Sequence, residues 1–81
     1  MAWFRYYWSD DTIDKLGQHG LTVDDFEFAF EHYHREVRSH SSARLIRFGR
    51  TIDGRAIAAV FQWDEPNVTV IPITAYEVRE L

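Results

Sequence analysis

The chain changes its hydrophobic period near its middle. Through residues 9–34 apolar positions recur every three or four residues, the spacing of one helical face. Ser9 follows Trp8 and precedes Asp10 and Asp11, so a capping hydroxyl stands at a helix entrance with acids in the first turn, where the dipole favours them. Trp8 and Ile13 have the spacing of a hydrophobic staple, Leu16 continues that face, and Gly17 and Gly20 close it beside His19. The pattern then repeats. Thr22 is a cap with Asp25 three residues on, Leu21 and Phe26 form a second staple, and Val23, Phe26, Phe30 and Tyr33 trace one stripe. Asp24, Glu27 and Glu31 turn elsewhere. Helices are expected over 9–17 and 23–34.

From Arg35 the pattern is that of strands. Val37 lies in a short polar strand, and Ser39 to Ser42 read as a loop. Ala43 to Arg50 and Arg55 to Trp63 are β-rich runs joined through Asp53-Gly54, a strong hairpin signal. Asp64 to Asn67 form a second turn, and Val68 to Ala75 a third strand in which Pro72 requires an edge or a bulge. Ile57 to Gln62 are apolar on both faces, which places that strand centrally. Trp3 to Tyr7 can add one more. The expectation is an α+β fold, with two N-terminal helices packed on one face of an antiparallel three- to four-stranded sheet. Phe26, Phe30, Ile57 and Phe61 are its expected core.

Composition narrows the function. Eighty-one residues, 46% of them hydrophobic, make a single domain over 1–81 with a small core, so a covering partner is expected. The absence of cysteine excludes a disulfide scaffold, a thiolate zinc site and a cysteine nucleophile. No apolar run approaches the ~20 residues of a membrane span, and the N-terminus lacks the order of a signal peptide, so a cytoplasmic protein without membrane association is expected. The net charge of −4 conceals a segregation: six arginines (Arg35, Arg38, Arg44, Arg47, Arg50, Arg55) stand against Glu36 and Asp53 between residues 35 and 55. Arginine suits planar, bidentate contact with phosphate or carboxylate, although such a run also serves as a solvated face paired with the acidic helices.

Three segments together resemble a known family. Trp8-Ser9-Asp10-Asp11-Thr12-Ile13 with Gln18-His19-Gly20-Leu21-Thr22, the stretch Arg44 to Arg55 with Gly49, Thr51, Asp53 and Gly54, and Ile71 to Glu77 with Thr74-Ala75-Tyr76 are similar, in order and spacing, to the BrnT-like proteins. That family belongs to the RelE-like ribonuclease toxins of type II toxin–antitoxin systems. The resemblance implies a RelE-like fold and metal-independent cleavage of RNA without a cofactor. It also implies inhibition by an antitoxin, commonly of ribbon-helix-helix type. Such chemistry needs a base for the ribose 2′-OH, an acid for the 5′ leaving oxygen and cations on the phosphorane-like transition state.

On that resemblance His19, Arg50 and Tyr76 are the candidate catalytic residues, and Arg44, Arg47, Arg55 and Arg79 the candidate RNA contacts. Each has a plainer reading. His19 caps a helix C-terminus equally well. Arg50 and Arg55 flank the Asp53-Gly54 turn, as phosphate clamps or for solubility. Tyr76 stands where relatives commonly carry arginine and serves as a weak acid or a stacking surface. Arg47, Arg50 and Arg55 are expected to share one positive surface. His32 and His34, near His40, are two apart and share no helical face; they align as metal ligands only in an extended segment, and no metal is expected. The cluster Trp3, Phe4, Tyr6, Tyr7 and Trp8 stacks bases or, more often, forms core and a partner-covered edge. A homodimer in the absence of antitoxin is expected, with Trp3, Tyr6 or Tyr7 as anchors. Two classes remain open: a toxin-like endoribonuclease, and a non-catalytic interaction module of the same fold that binds a partner through aromatic surface.

Overall fold

The computed structural model describes residues 4–39, 43–64 and 68–79. In order these form β1 (Arg5–Tyr6), α1 (Asp10–Gln18), α2 (Val23–Glu31), β2 (Arg35–Arg38), β3 (Leu45–Arg50), β4 (Ala56–Trp63) and β5 (Thr69–Glu77). Both helices begin where side chains take up orphan amides. Ser9 Oγ accepts from the Thr12 amide, and Thr22 and Asp25 form a reciprocal capping box. Trp8 turns its ring onto Phe26 (centroids 5.1 Å apart) rather than onto Ile13, which is exposed. Helix α2 stops at Glu31, short of the expected His34, because the His34 amide is already bonded to the Phe48 carbonyl at the approach to β2.

The strands make one sheet in the order β1-β5-β4-β3-β2. Pairs among β2 to β5 are antiparallel. Two short strands flank the expected three, and β1 runs parallel to β5 through Arg5↔Thr69 and Tyr6↔Val70, so the sheet is mixed at one edge. Pro72 sits at a bulge: Val60 faces Thr74 while Phe61 faces Pro72, leaving Ile73 as the extra residue. The Pro72 carbonyl accepts from the Thr12 hydroxyl of α1 (3.1 Å), which ties that helix to β5.

The core lies between the helices and one sheet face. Leu16, Phe26, Phe30, Ile57, Phe61 and Val70 are fully buried there. Phe30 is its hub, edge-on to Phe61 at 4.7 Å and to Phe4 at 5.3 Å. Phe4, Tyr6 and Trp8 pack against this core. Tyr6 is half-buried against it, and its hydroxyl donates to Glu31 Oε2 (2.7 Å). Tyr7 remains 64% exposed, and Trp3 lies outside the described residues, as do His40 and the centre of the second turn. No helix among the described residues is long and apolar enough to cross a membrane.

Candidate nucleic-acid interface

Strand alternation decides which arginine faces what. On β3 the helix-side positions are Leu45, Arg47 and Gly49; the opposite, open face carries Ile46, Phe48 and Arg50. On β4 the helix side is Ile57, Ala59 and Phe61, and the open face Ala56, Ala58 and Val60. Register then aligns Arg35, Phe48, Ala58 and Tyr76 in one row across four strands, and Val37, Ile46, Val60 and Thr74 in the next. Arg50 stands opposite Ala56, one step further along. The Arg35 guanidinium lies 5.0 Å from the centre of the Phe48 ring. Glu36 and Glu77, by register with Arg47 and Ile57, fall on the helix side. Among the described strand residues the charges of the open face are thus Arg5, Arg35 and Arg50, with no carboxylate. The acids of α1 and α2 lie on the other side of the sheet.

The expectation of one surface holding Arg47, Arg50 and Arg55 gives way to this alternation. Arg47 is buried on the helix side. Its Nε donates to Glu36 (2.7 Å), its Nη1 to the Phe30 carbonyl (3.2 Å), and its guanidinium lies 4.1 Å from the Phe30 ring and 4.0 Å from that of Tyr33. Its guanidinium is thus engaged by the core edge. Arg55 also turns to the helix side. There it donates to the Gly20 carbonyl (2.8 Å), Asp25 Oδ2 (3.1 Å) and Glu77 Oε1 (3.5 Å), and its Nε meets the Asp53 carboxylate. The Asp53 carboxylate hydrogen bond foremost, and the surrounding acids as well, hold the Arg55 cation above its ordinary range; the Thr51 hydroxyl foremost holds Asp53 below the usual carboxylate range.

Arg50 is exposed on the open face, with Nη1 donating to the Gly54 carbonyl of the turn (2.9 Å). That turn closes because Thr51 and Arg55 pair through the Thr51 amide (2.9 Å) and Gly54 adopts φ +92°. Tyr76 is 39% exposed two strands away, across the small side chains of Ala56 and Ala58. His19 is the C-cap of α1. Its backbone amide, donating to Leu16 (3.0 Å), does the capping; the exposed imidazole makes no hydrogen bond among the described residues. Arg55 joins the neighbours of the two candidates, bonding Gly20 beside His19 and Glu77 beside Tyr76. Arg79 is exposed just beyond β5, and Arg44 is exposed at the opposite end of β3. Sequence reasoning missed Arg35 and Phe48; counting back by two from Arg50 along β3 would have found Phe48.

No group of three His, Cys, Asp or Glu able to hold a metal, and no pocket, occurs among the described residues. A ligand of this face must lie across it. A sheet face whose described strand residues carry arginines and aromatic rings but no carboxylate is suited to a single-stranded polyanion whose bases stack.

A helical pair on one face of a mixed five-stranded sheet, with arginine and aromatic side chains on the other, defines a small α+β fold. The chain shares its fold with the ribonuclease toxin BrnT of Brucella abortus: the two structures superpose with a TM-score of 0.69 over 99% of this chain and 100% of that one, at 17% sequence identity. No family model and no curated protein sequence matches the chain.

Proposed function

We propose that this chain is a toxin-like endoribonuclease that binds single-stranded RNA across the open sheet face and is held inactive by an antitoxin partner of ribbon-helix-helix type. The observation that carries the reading is the whole-length fold likeness to a ribonuclease toxin. The face around Arg50, Arg35, Phe48 and Tyr76, which carries no carboxylate among the described strand residues, supports it. In this reading the 2′-hydroxyl of one ribose attacks the adjacent phosphorus and the bond to the 5′ oxygen of the next nucleotide breaks. A 2′,3′-cyclic phosphate and a free 5′-hydroxyl result. RNA that bends around the sheet end bridged by Arg55 brings its 2′-OH to His19, which takes the proton. A proton is returned to the leaving oxygen by Tyr76, or by water where Tyr76 stacks on the flanking base, and Arg50 meets the charge that develops on phosphorus. Arg44 and Arg79 contact the backbone further out. Arg55 positions the segments of His19 and Tyr76 instead of contacting RNA.

The test is degradation of purified RNA with the products' ends identified. Cleavage that leaves cyclic phosphates, persists in EDTA and is lost in His19→Ala and Arg50→Ala supports the reading. Folded protein that binds an antitoxin but leaves RNA intact at all concentrations would assign it to the non-catalytic interaction class.

A further inference from the structure

The outer edge of β2 carries an instruction that the nuclease reading does not use. β2 pairs only with β3 among the described residues, and three of its four residues are exposed. Helix α2 packs on β3 and β4 and α1 on β5, so neither helical layer covers this edge. The phase of its ladder is fixed by one bond, the Ser39 amide donating to the Arg44 carbonyl (3.0 Å). In an antiparallel ladder alternate residues bond the same neighbour, so Arg35, Val37 and Ser39 turn their amides and carbonyls toward β3. The His34 and Arg35 positions facing Phe48, with the His34 amide on the Phe48 carbonyl (2.7 Å), fit the same phase as a bulge at the strand's start. Glu36 and Arg38 therefore turn their backbone groups outward.

We infer that this edge joins a second copy of the chain, antiparallel and centred on Val37. Only residues with outward groups can bond each other, which leaves three two-fold registers. One sets Glu36 opposite Glu36 of the second copy, and one sets Arg38 opposite Arg38 of the second copy; like charges directly opposed disfavour both. The third sets Glu36 opposite Arg38 of the second copy, and the symmetry repeats that favourable pair. Each pair exchanges two backbone hydrogen bonds, and its side chains lie on the helix side, where Glu36 already accepts from Arg47 through Oε1. Charged residues usually protect an edge from promiscuous pairing. Here the pattern Arg35-Glu36-Val37-Arg38 blocks every register but one.

The two-fold axis runs perpendicular to the sheet, so both open faces come to lie on the same side of a continuous sheet, with Arg35 of each copy near the seam. The joined edge is only four residues long, so the dimer should be reversible and concentration-dependent.

The register makes a sharp test. The two copies' residue 37 positions form the non-hydrogen-bonded pair at the axis, with Cα atoms ~4.5 Å apart. That lies within the ~4.4–6.8 Å span of a disulfide. In a chain without cysteine, Val37→Cys should cross-link rapidly under mild oxidation while the exposed Tyr7→Cys does not. Arg38→Pro removes an amide that points away from β3, and circular dichroism should show it folded while sedimentation shows dimerisation weakened at least ~10-fold. Arg38→Glu, which leaves the backbone unchanged and opposes two carboxylates, should weaken it as well. A monomer at every concentration would overturn the inference. So would wild-type dimerisation in both Arg38 variants, or Val37→Cys linking no faster than Tyr7→Cys.

Discussion

Arg55 Nη2 lies 3.1 Å from Asp25 Oδ2, the same oxygen that accepts from the Thr22 amide in the capping box of α2. One carboxylate thus closes a helix N-terminus and receives the guanidinium at the base of the β3–β4 hairpin. Because Arg55 also bonds Gly20 and Glu77, it links the end of α1, the start of α2 and the end of β5. Thr22→Ala removes only the cap and should cost about 1 kcal/mol. Asp25→Ala removes the cap and an Arg55 contact, so its melting temperature should fall further. Arg55→Ala should leave the α2 cap but loosen the α1 end, read as faster amide exchange at Gly20 and Leu21. Equal melting temperatures for Thr22→Ala and Asp25→Ala would show that the shared oxygen couples nothing.

At Gly49 the two layers meet backbone to backbone. A Cβ built on it would stand 2.4 Å from the Ala29 carbonyl oxygen and 3.1 Å from its carbon, so α2 rests directly on the β3 backbone. The obstacle is main chain and cannot rotate away. Gly49→Ala should therefore cost about 1–3 kcal/mol by forcing helix and strand apart. Gly17→Ala, whose added methyl meets nothing within 4 Å, should be neutral or stabilising. Chemical denaturation of the two variants separates a packing requirement from a general preference for glycine.

What was legible in the sequence was local. Ser9 and Thr22 announce helices because a cap needs only its own next turn, Asp53-Gly54 closes a hairpin from its own backbone, and Pro72 marks a bulge wherever its strand pairs. The site was less legible because it depends on parity. Arg47 and Arg50 differ by three along a strand and so fall on opposite faces, but which face the helices cover follows from Gly49 admitting α2, a contact twenty residues apart in sequence. Arg55 reads as a phosphate clamp for the same reason: Asp53 stands two residues away, but its other acids come from α2 and β5, which no spacing brings together. The parallel pairing of β1 with β5 spans nearly the whole chain and has no local signature.

Tyr6 gives the fold a pH signature at the alkaline end. Its ionisation is pushed far above the ordinary tyrosine range, first by burial and then by the Glu31 carboxylate that accepts its proton. A group whose folded pKa is raised contributes stability below its unfolded value and loses it as pH climbs beyond that value. The penalty of Tyr6→Phe, which removes the bond to Glu31, should be full at neutral pH and shrink above about pH 10, where the unfolded wild-type tyrosine ionises. Denaturation at pH 7 and pH 11 measures this directly. A penalty independent of pH would mean that the hydroxyl ionises equally easily in both states.

The acid end belongs to Asp53. Its carboxyl is held low by the Thr51 hydroxyl first and by Arg55 second, so its contribution is present above the ordinary carboxylate range and is lost as pH falls through its depressed folded value. Asp53→Asn should flatten the acid limb of the stability profile and leave the alkaline limb unchanged. A mutant whose acid limb matches the wild type would place that proton uptake on other carboxylates.

Arg47 and Arg50 offer the cleanest separation of fold from binding, because they are neighbours on one strand with opposite fates. Arg47→Met should cost about 2 kcal/mol, the loss of a buried pair reduced by the one-third exposure of Glu36. It should leave the salt dependence of RNA binding unchanged. Arg50→Ala should leave stability within about 0.5 kcal/mol, since among the described residues its exposed side chain bonds only the Gly54 carbonyl. If Arg50 neutralises one phosphate of a single strand, the slope of log affinity against log salt becomes shallower by ~0.7. A slope unchanged by Arg50→Ala removes that phosphate contact. A slope changed by Arg47→Met in a folded protein would mean that the guanidinium between Phe30 and Tyr33 leaves its ring-lined site to meet RNA, which the Glu36 bond and the burial of Arg47 both oppose.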